Sequence, residues 1–450
     1  MGRTPSGRRT PVRSASSPRE SSSESRPREE AHRRSQGTHR WPQFLPDGQR
    51  FLFTAAAIQL QGSGRADGVY AGRLDSDEIR LVLPSLSDAR FASPGFLLTL
   101  RGSSLLAFPA REKDLRLTDD GVPIADPVLR DWAREKAAFS ISDTGLLAYH
   151  AGRTAGASNL SWFDRAGKVL QTLGEPAVYT EPSISPDGKR IAVGVVDPET
   201  NKHQILLVPA SGGPSTRFTF GSVSSGYPIW SPDGNEILFS SNRRITGELY
   251  SKSPAGTRTE ELRLASDNDA YPLDFSRDGR YLALGLLTGP TGRNELWVQP
   301  LYGDRKPAVF LDRGLKDCIA RFSPDGRWLA YSSYESGLSE IYVTGFPGGK
   351  GKWQISRAGG FEPRWSRDGR TLFFVALDGT LTEVPVRNGA TLQTGTPRAL
   401  FRIPPGAQTS QWSYDVSLDG NRFLIVVPAP STDPSTSITL VMNWASDLKR

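Results

Sequence analysis

Eight side chains of this sequence are of types that bind or catalyse and fall at matching places in a repeated phrase: Glu181, Tyr227, Tyr271, Arg321, Glu362 with Arg364, and Tyr414 with Asp415. Each lies a few residues ahead of an Asp-Gly pair. Aromatic rings interleaved with both signs of charge are the composition of a recognition surface, which points to a protein, a peptide or an envelope component as ligand. Two of the carboxylates, Glu181 and Glu362, are also what a glycan- or peptide-acting hydrolase or lyase needs as its acid and its base or nucleophile. A third reading gives these residues no ligand and has them fill or solvate a tunnel.

Other chemistries lack their residues. A phosphotransferase needs a Gly-rich loop, a strand Lys, and His-Arg-Asp and Asp-Phe-Gly loops, and none of these occurs. No Gly-x-Ser-x-Gly elbow is present for a serine hydrolase. With four His and one Cys, Cys318, the chain offers neither a disulfide nor a zinc ligand set. His39, His150 and His203 stand on separate units, and Asp267-Asn-Asp269 breaks off into Ala270-Tyr-Pro272 before a calcium loop is complete. No metal and no cofactor is expected.

The elements that must position the eight residues come from an internal repeat. The phrase reads Ile184-Ser-Pro-Asp-Gly188, Trp230-Ser-Pro-Asp-Gly234, Phe275-Ser-Arg-Asp-Gly279, Phe322-Ser-Pro-Asp-Gly326, Trp365-Ser-Arg-Asp-Gly369 and Val416-Ser-Leu-Asp-Gly420. Its Asp residues are 46, 45, 47, 43 and 51 positions apart, the length of a four-stranded propeller blade. Ser-Pro-Asp-Gly is turn chemistry: Pro presets φ, Asp binds its own backbone, and Gly takes the positive φ that closes a hairpin. The fourth to sixth residues after each Asp are apolar in all six units, from Ile191-Ala-Val193 to Phe423-Leu-Ile425. An unbroken apolar run means a strand covered on both faces, as when blades stack around an axis.

A third strand follows in each unit, the last being Ile438–Trp444. A fourth follows in five of them, and the sixth unit has none. A strand donated from residues 160–174, with Val169–Leu173 as its core, is expected to close the ring. The same grammar recurs upstream in degraded form, for example Phe44-Leu-Pro-Asp-Gly48. The expected organisation is an Arg/Ser-rich disordered tail over 1–38, about three degenerate blades over 39–175, and a six-bladed propeller over 176–450. A single ring of seven to nine blades stays open as an alternative.

The phrase, followed by an Ile/Leu-Tyr/Trp-Val strand, resembles the TolB-like, WD40-like (PD40) propeller repeat of bacterial proteins. More narrowly, Thr38–Gly48, Trp162–Gly167, Leu301–Pro307 and the ending Met442-Asn-Trp444 to Leu448-Lys-Arg450 resemble the C-terminal propeller sensor region of membrane-anchored bacterial Ser/Thr protein kinases. The resemblance spans residues 38–450 and lacks the kinase domain. It implies an all-β fold, a non-catalytic interaction or sensor role, and an extracytoplasmic place in a full-length parent.

Charge agrees with a protein-binding rather than a nucleic-acid-binding role. The chain carries a net +7, of which the first forty residues, with ten Arg and four Glu, supply +6. The remainder is close to neutral, so no nucleic-acid partner is expected for the fold, and the Arg-rich tail alone keeps that possibility. No run reaches the ~18 apolar residues of a membrane span, and no secretory h-region opens the chain. As written, the sequence reads as a cytoplasmic monomer.

Overall fold

Each Ser-x-Asp-Gly phrase builds the same turn. In all six the Ser hydroxyl donates to the Asp Oδ1 at 2.5–2.6 Å. The same Ser Oγ accepts the backbone N–H five residues on, at 2.8–3.0 Å. The closing Gly has φ between 69° and 72°, a region where a side chain would be strained. These hydrogen bonds hold Asp187, Asp233, Asp368 and Asp419 below the usual carboxylate range, so these four turns are formed with ionised aspartates.

The computed structural model describes residues 38–448 apart from 57–67, 86, 93–94, 112, 118–119, 132–135, 143, 153–156, 198–201, 222, 244–245, 257–258, 289–292, 313–314, 316–317, 390, 406–412, 430–437 and 447. The expected tail lies outside the described residues except for Thr38, which begins a strand. All described regular elements are strands. Among the described residues no helix is long and apolar enough to cross a membrane.

The apolar runs after the turns are the second strands of six antiparallel sheets. All eighteen of their residues are at most 4% exposed, as a strand sandwiched between neighbouring blades must be. Blade 1 runs through Tyr179–Ile184, Arg190–Val196, His203–Pro209 and Thr216–Arg217. Blade 2 begins at Ser225–Trp230, blade 3 at Asp269–Phe275, blade 4 at Ala320–Phe322 and blade 5 at Phe361–Trp365, each continuing outward in chain order. Blade 6 takes its two inner strands from Tyr414–Val416 and Arg422–Pro428 and its two outer strands from Ser158–Asp164 and Val169–Ala177. Inner strands touch in cyclic order, the sixth against the first, so the six blades form a closed β-propeller.

The last unit corrects the sequence reading in one place. Ile438–Met442 is not the third strand of blade 6; it leaves the ring and pairs with Leu146–His150, next to Phe139–Ile141. Ser158–Asp164 occupies the third position, in unbroken register from Ser158 opposite Pro428 to Asp164 opposite Arg422. Burial supplies the reason. Leu160, Trp162 and Phe163 are 0–3% exposed there, whereas Ile438, Leu440 and Met442 present a face that is 61–78% exposed where they lie. The ring sheets therefore draw on residues 158–428 rather than 176–450, and two strands rather than one close them.

Upstream, Thr38–Phe44, Arg50–Ala56, Gly68–Arg73 and Ser76–Leu83 make one sheet. Ala89–Ala92, Phe96–Arg101, Ser104–Arg111 and Val122–Ala125 make the frame of a second, and the sheet completed by Ile438–Met442 is a third. The three stack in order through two apolar cores, the second of which includes Trp444 edge-on to Phe96 at 5.5 Å.

Candidate functional site in the central channel

The inner strands surround the ring axis, and four of the six arrive there through an irregularity. Register shifts fall between Thr180 and Ser183, Gly226 and Ile229, Pro272 and Asp274, and Phe361 and Arg364. At these bulges Glu181, Tyr227 and Glu362 have φ of 51°, 56° and 57°. A side-chain-bearing residue in that region costs about 1–3 kcal/mol. The bulge re-aims the side chain across to the next blade, and the contacts made there offset the strain.

Those contacts run around the ring. Between blades 1 and 2, Glu181 Oε2 accepts the Tyr227 N–H at 2.9 Å, and Trp230 Nε1–H donates back to the Ser183 carbonyl at 3.0 Å. Between blades 2 and 3 the Tyr227 and Tyr271 rings meet at 5.2 Å. Asp274 Oδ2 accepts the Phe322 N–H at 2.8 Å to join blade 3 to blade 4, and Trp365 Nε1–H donates to the Arg321 carbonyl at 3.2 Å to join 5 to 4. Glu362, fully buried, accepts the Ser413 N–H at 2.7 Å and the Ser413 hydroxyl at 3.2 Å, and the Tyr414 hydroxyl donates to the Glu362 carbonyl at 2.9 Å. Asp415 Oδ2 accepts the Ile184 N–H at 2.8 Å and closes blade 6 onto blade 1. Gln43 makes the equivalent link upstream: its side-chain oxygen accepts the Phe91 N–H at 2.8 Å.

A cavity of about 290 Å³ lies on the axis, lined by all six inner strands. Of the residues singled out from sequence, Glu181, Tyr227, Arg321, Arg364 and Asp415 line it, whereas Tyr271, Glu362 and Tyr414 do not. Three further charged residues line it: Asp274, Arg277 and Arg367. Asp274 stands four residues before its turn Asp, the place held by Arg321, Arg364 and Asp415 in other units. That alignment was the available signal, and the bulge in blade 3 hides it by shifting the tyrosine one position. Arg277 and Arg367 occupy the turn position that is Pro in three units. They reach over the cavity mouth: Arg277 Nη1–H donates to the Arg367 carbonyl at 2.9 Å, and Arg367 Nη1–H to the Pro186 carbonyl at 2.7 Å.

Electrostatics follow from burial. Desolvation pushes Asp274 up to about 6 despite the opposing charge of Arg321, and it also raises Glu181. Burial, with repulsion from Arg364, pushes Arg321 down to about 9, so its guanidinium stays charged at neutral pH. Arg321 donates to the Leu273 carbonyl and, at 2.9 Å, to that of Ala320. Arg364 donates to the Pro363 carbonyl at 3.1 Å, lies 3.7 Å from Asp415 and covers the Tyr414 ring at 5.5 Å. Among the described residues no three His, Cys, Asp or Glu gather as a metal-binding group.

No family model matches the chain. Over 173 residues, 37% of the chain, it is 30% identical to an uncharacterized peptidase, YuxL, of Bacillus subtilis, and the match spans 23% of that protein's length. Over 205 residues, 43% of the chain, it is 26% identical to an uncharacterized protein of Agrobacterium fabrum and spans 68% of it. Among solved structures, a putative TolB from Agrobacterium tumefaciens is similar at TM-score 0.48 and 20% identity, covering 61% of this chain and 99% of that one. TolB from Acinetobacter baumannii is similar at TM-score 0.38 and 16% identity, covering 64% and 78%.

Proposed function

We propose that the ring is a non-catalytic interaction module that takes a segment of a protein or peptide into its channel through the turn face, as the sensor part of a larger signalling protein does. One observation carries the reading: a cavity reached by all six inner strands whose rim residues, Arg277 and Arg367, are exposed while the residues beneath them join the blades. Such a cavity is at the small end of ligand sites and suits the end of an extended chain rather than a folded domain.

The hydrolase reading has less support. Glu181, Asp274, Glu362 and Asp415 each accept a backbone N–H from the neighbouring blade, which suits a scaffold better than proton transfer to a substrate. The sensor role rests on the resemblance of the repeats to those of bacterial receptor kinases, and it places the module outside the cytoplasm in a longer parent.

The test is capture of partners from a bacterial envelope extract by the wild-type chain and by an Arg277→Ala/Arg367→Ala variant. Both side chains are exposed on turns, so the variant keeps the fold, as circular dichroism will verify. The reading predicts a partner retained by the wild type and lost by the variant. Equal recovery by both would move the binding surface off the channel.

A further inference from the structure

Every junction between neighbouring ring blades is built on the same two positions. One lies in the third strand of the leading blade, opposite the residue four places after the one whose carbonyl accepts the turn Ser N–H. Leu160, Ile205, Leu249, Leu296, Ile341 and Leu381 hold this place in the six blades, and all are 0% exposed. The other position is the apolar residue that opens the repeated phrase of the following blade. In each of the six junctions the two belong to one apolar core. Ile205 with Trp230 and Leu296 with Phe322 are examples, the two rings being 6% and 5% exposed.

The two end sheets of the upstream stack each carry one half of such a junction. In the third upstream sheet the same count from the turn leads to Ile438, opposite His150. In the first, the phrase opens with Phe44. Ile438 is 66% exposed and Phe44 56%, whereas Val69, which holds the third-strand position of the first sheet, is 0% exposed against the second. The inner junctions of the stack also repeat the ring's polar links: Gln43 accepts the Phe91 N–H at 2.8 Å, and Asp88 Oδ1 accepts the Ala137 N–H at 2.7 Å. Trp41 has φ of 56° at a bulge between Arg40 and Gln43, as the ring's inner strands do at Glu181 and Glu362. The stack is thus an arc of propeller blades with its two end junctions unmade.

The chain has no further blade of its own to put there. Residues 1–37 are fewer than the 43–51 of a repeat, and Met1 and Val12 are their only large apolar side chains. The longest internal segment outside the described residues, 57–67, is shorter still. Three blades are also half of the six that close the ring. We propose that two copies of this chain close a second six-bladed ring from their upstream sheets, with Ile438 of each copy packed on Phe44 of the other. A two-fold axis along that ring makes both new junctions identical, and the assembly stops at a dimer.

The experiment is sedimentation velocity of the full chain across a concentration series, with the expectation of a dimer; a chain that stays monomeric at tens of micromolar overturns the proposal. Ile438→Glu and, from the other side of the junction, Phe44→Glu replace side chains that are exposed in the single copy, so both keep the fold, as circular dichroism will verify. Each places a carboxylate in an apolar junction and is expected to raise the dimer dissociation constant about a hundredfold or more. A dimer that neither substitution weakens overturns the assignment.

A short bis-maleimide then reads the geometry, since Cys318 is buried and leaves the introduced thiols as the reactive ones. Phe44→Cys mixed with Ile438→Cys is expected to give a covalent dimer, and neither single variant alone is expected to do so. Crosslinking by Ile438→Cys alone would show two third upstream sheets face to face and overturn the ring arrangement.

Discussion

Replacing Asp274 by Asn separates the cost of burying that charge from the value of its hydrogen bond. The Asn side-chain oxygen can still accept the Phe322 N–H that Asp274 Oδ2 accepts at 2.8 Å. The carboxyl rises from 3.8 to about 6 on folding because burial outweighs the attraction of Arg321. A raised carboxyl gives its full contribution below the unfolded value; the contribution falls as pH rises between the two values and is gone above the folded one. Two pKa units correspond to about 3 kcal/mol. Asp274 keeps part of its surface on the cavity, and water there reduces the figure to on the order of 1–3 kcal/mol. Asp274→Asn should therefore be the more stable protein at pH 7.5 by that amount, with roughly half the advantage left at pH 5. Guanidinium unfolding of both proteins at the two pH values, with equal slopes, measures it. A variant less stable than the wild type at pH 7.5, or a difference that does not change with pH, would refute the reasoning.

Glu362→Ala strands the Ser413 N–H and hydroxyl in the interior and should cost roughly 2–4 kcal/mol by denaturant titration, with Glu362→Gln costing less than half of that. Trp444→Ala removes a 7%-exposed ring from the core of the upstream sheets and should cost about 3 kcal/mol, read from the shift of the unfolding midpoint. Asp325→Ala breaks one turn, losing its bonds to Ser323 and to the Arg327 N–H, and should cost about 1 kcal/mol without altering ligand capture.

The parts of the fold legible in the sequence were those fixed by local chemistry. A Ser-x-Asp-Gly turn needs four neighbouring residues, and a doubly covered strand announces itself as an unbroken apolar run, so the six sharp repeats were legible in the chain, whereas local pattern left one ring of six and one ring of seven to nine both open. The partner of a strand is a competition, and local pattern does not decide it. Ile438–Met442 looks as much like a strand as Ser158–Asp164 does, and only the burial of Leu160, Trp162 and Phe163 shows which one takes the third position of blade 6. The site was legible to a similar depth. Counting back from each Asp-Gly pair reached the inner strands, but bulges turn Glu362 into the wall between blades and Asp274 into the cavity, and no sequence spacing records a bulge. The exposed arginines at the mouth were hidden in plain view, as substitutions for Pro in a turn.

Site-specific photocrosslinking tests the channel account most directly. A photoreactive phenylalanine analogue is placed at Arg277, on the channel mouth, and separately at Tyr302, which is 67% exposed and does not line the cavity. After incubation with envelope extract, the account predicts one crosslinked partner from position 277 and none from position 302. Crosslinking of the same partner from position 302, with none from 277, would contradict it.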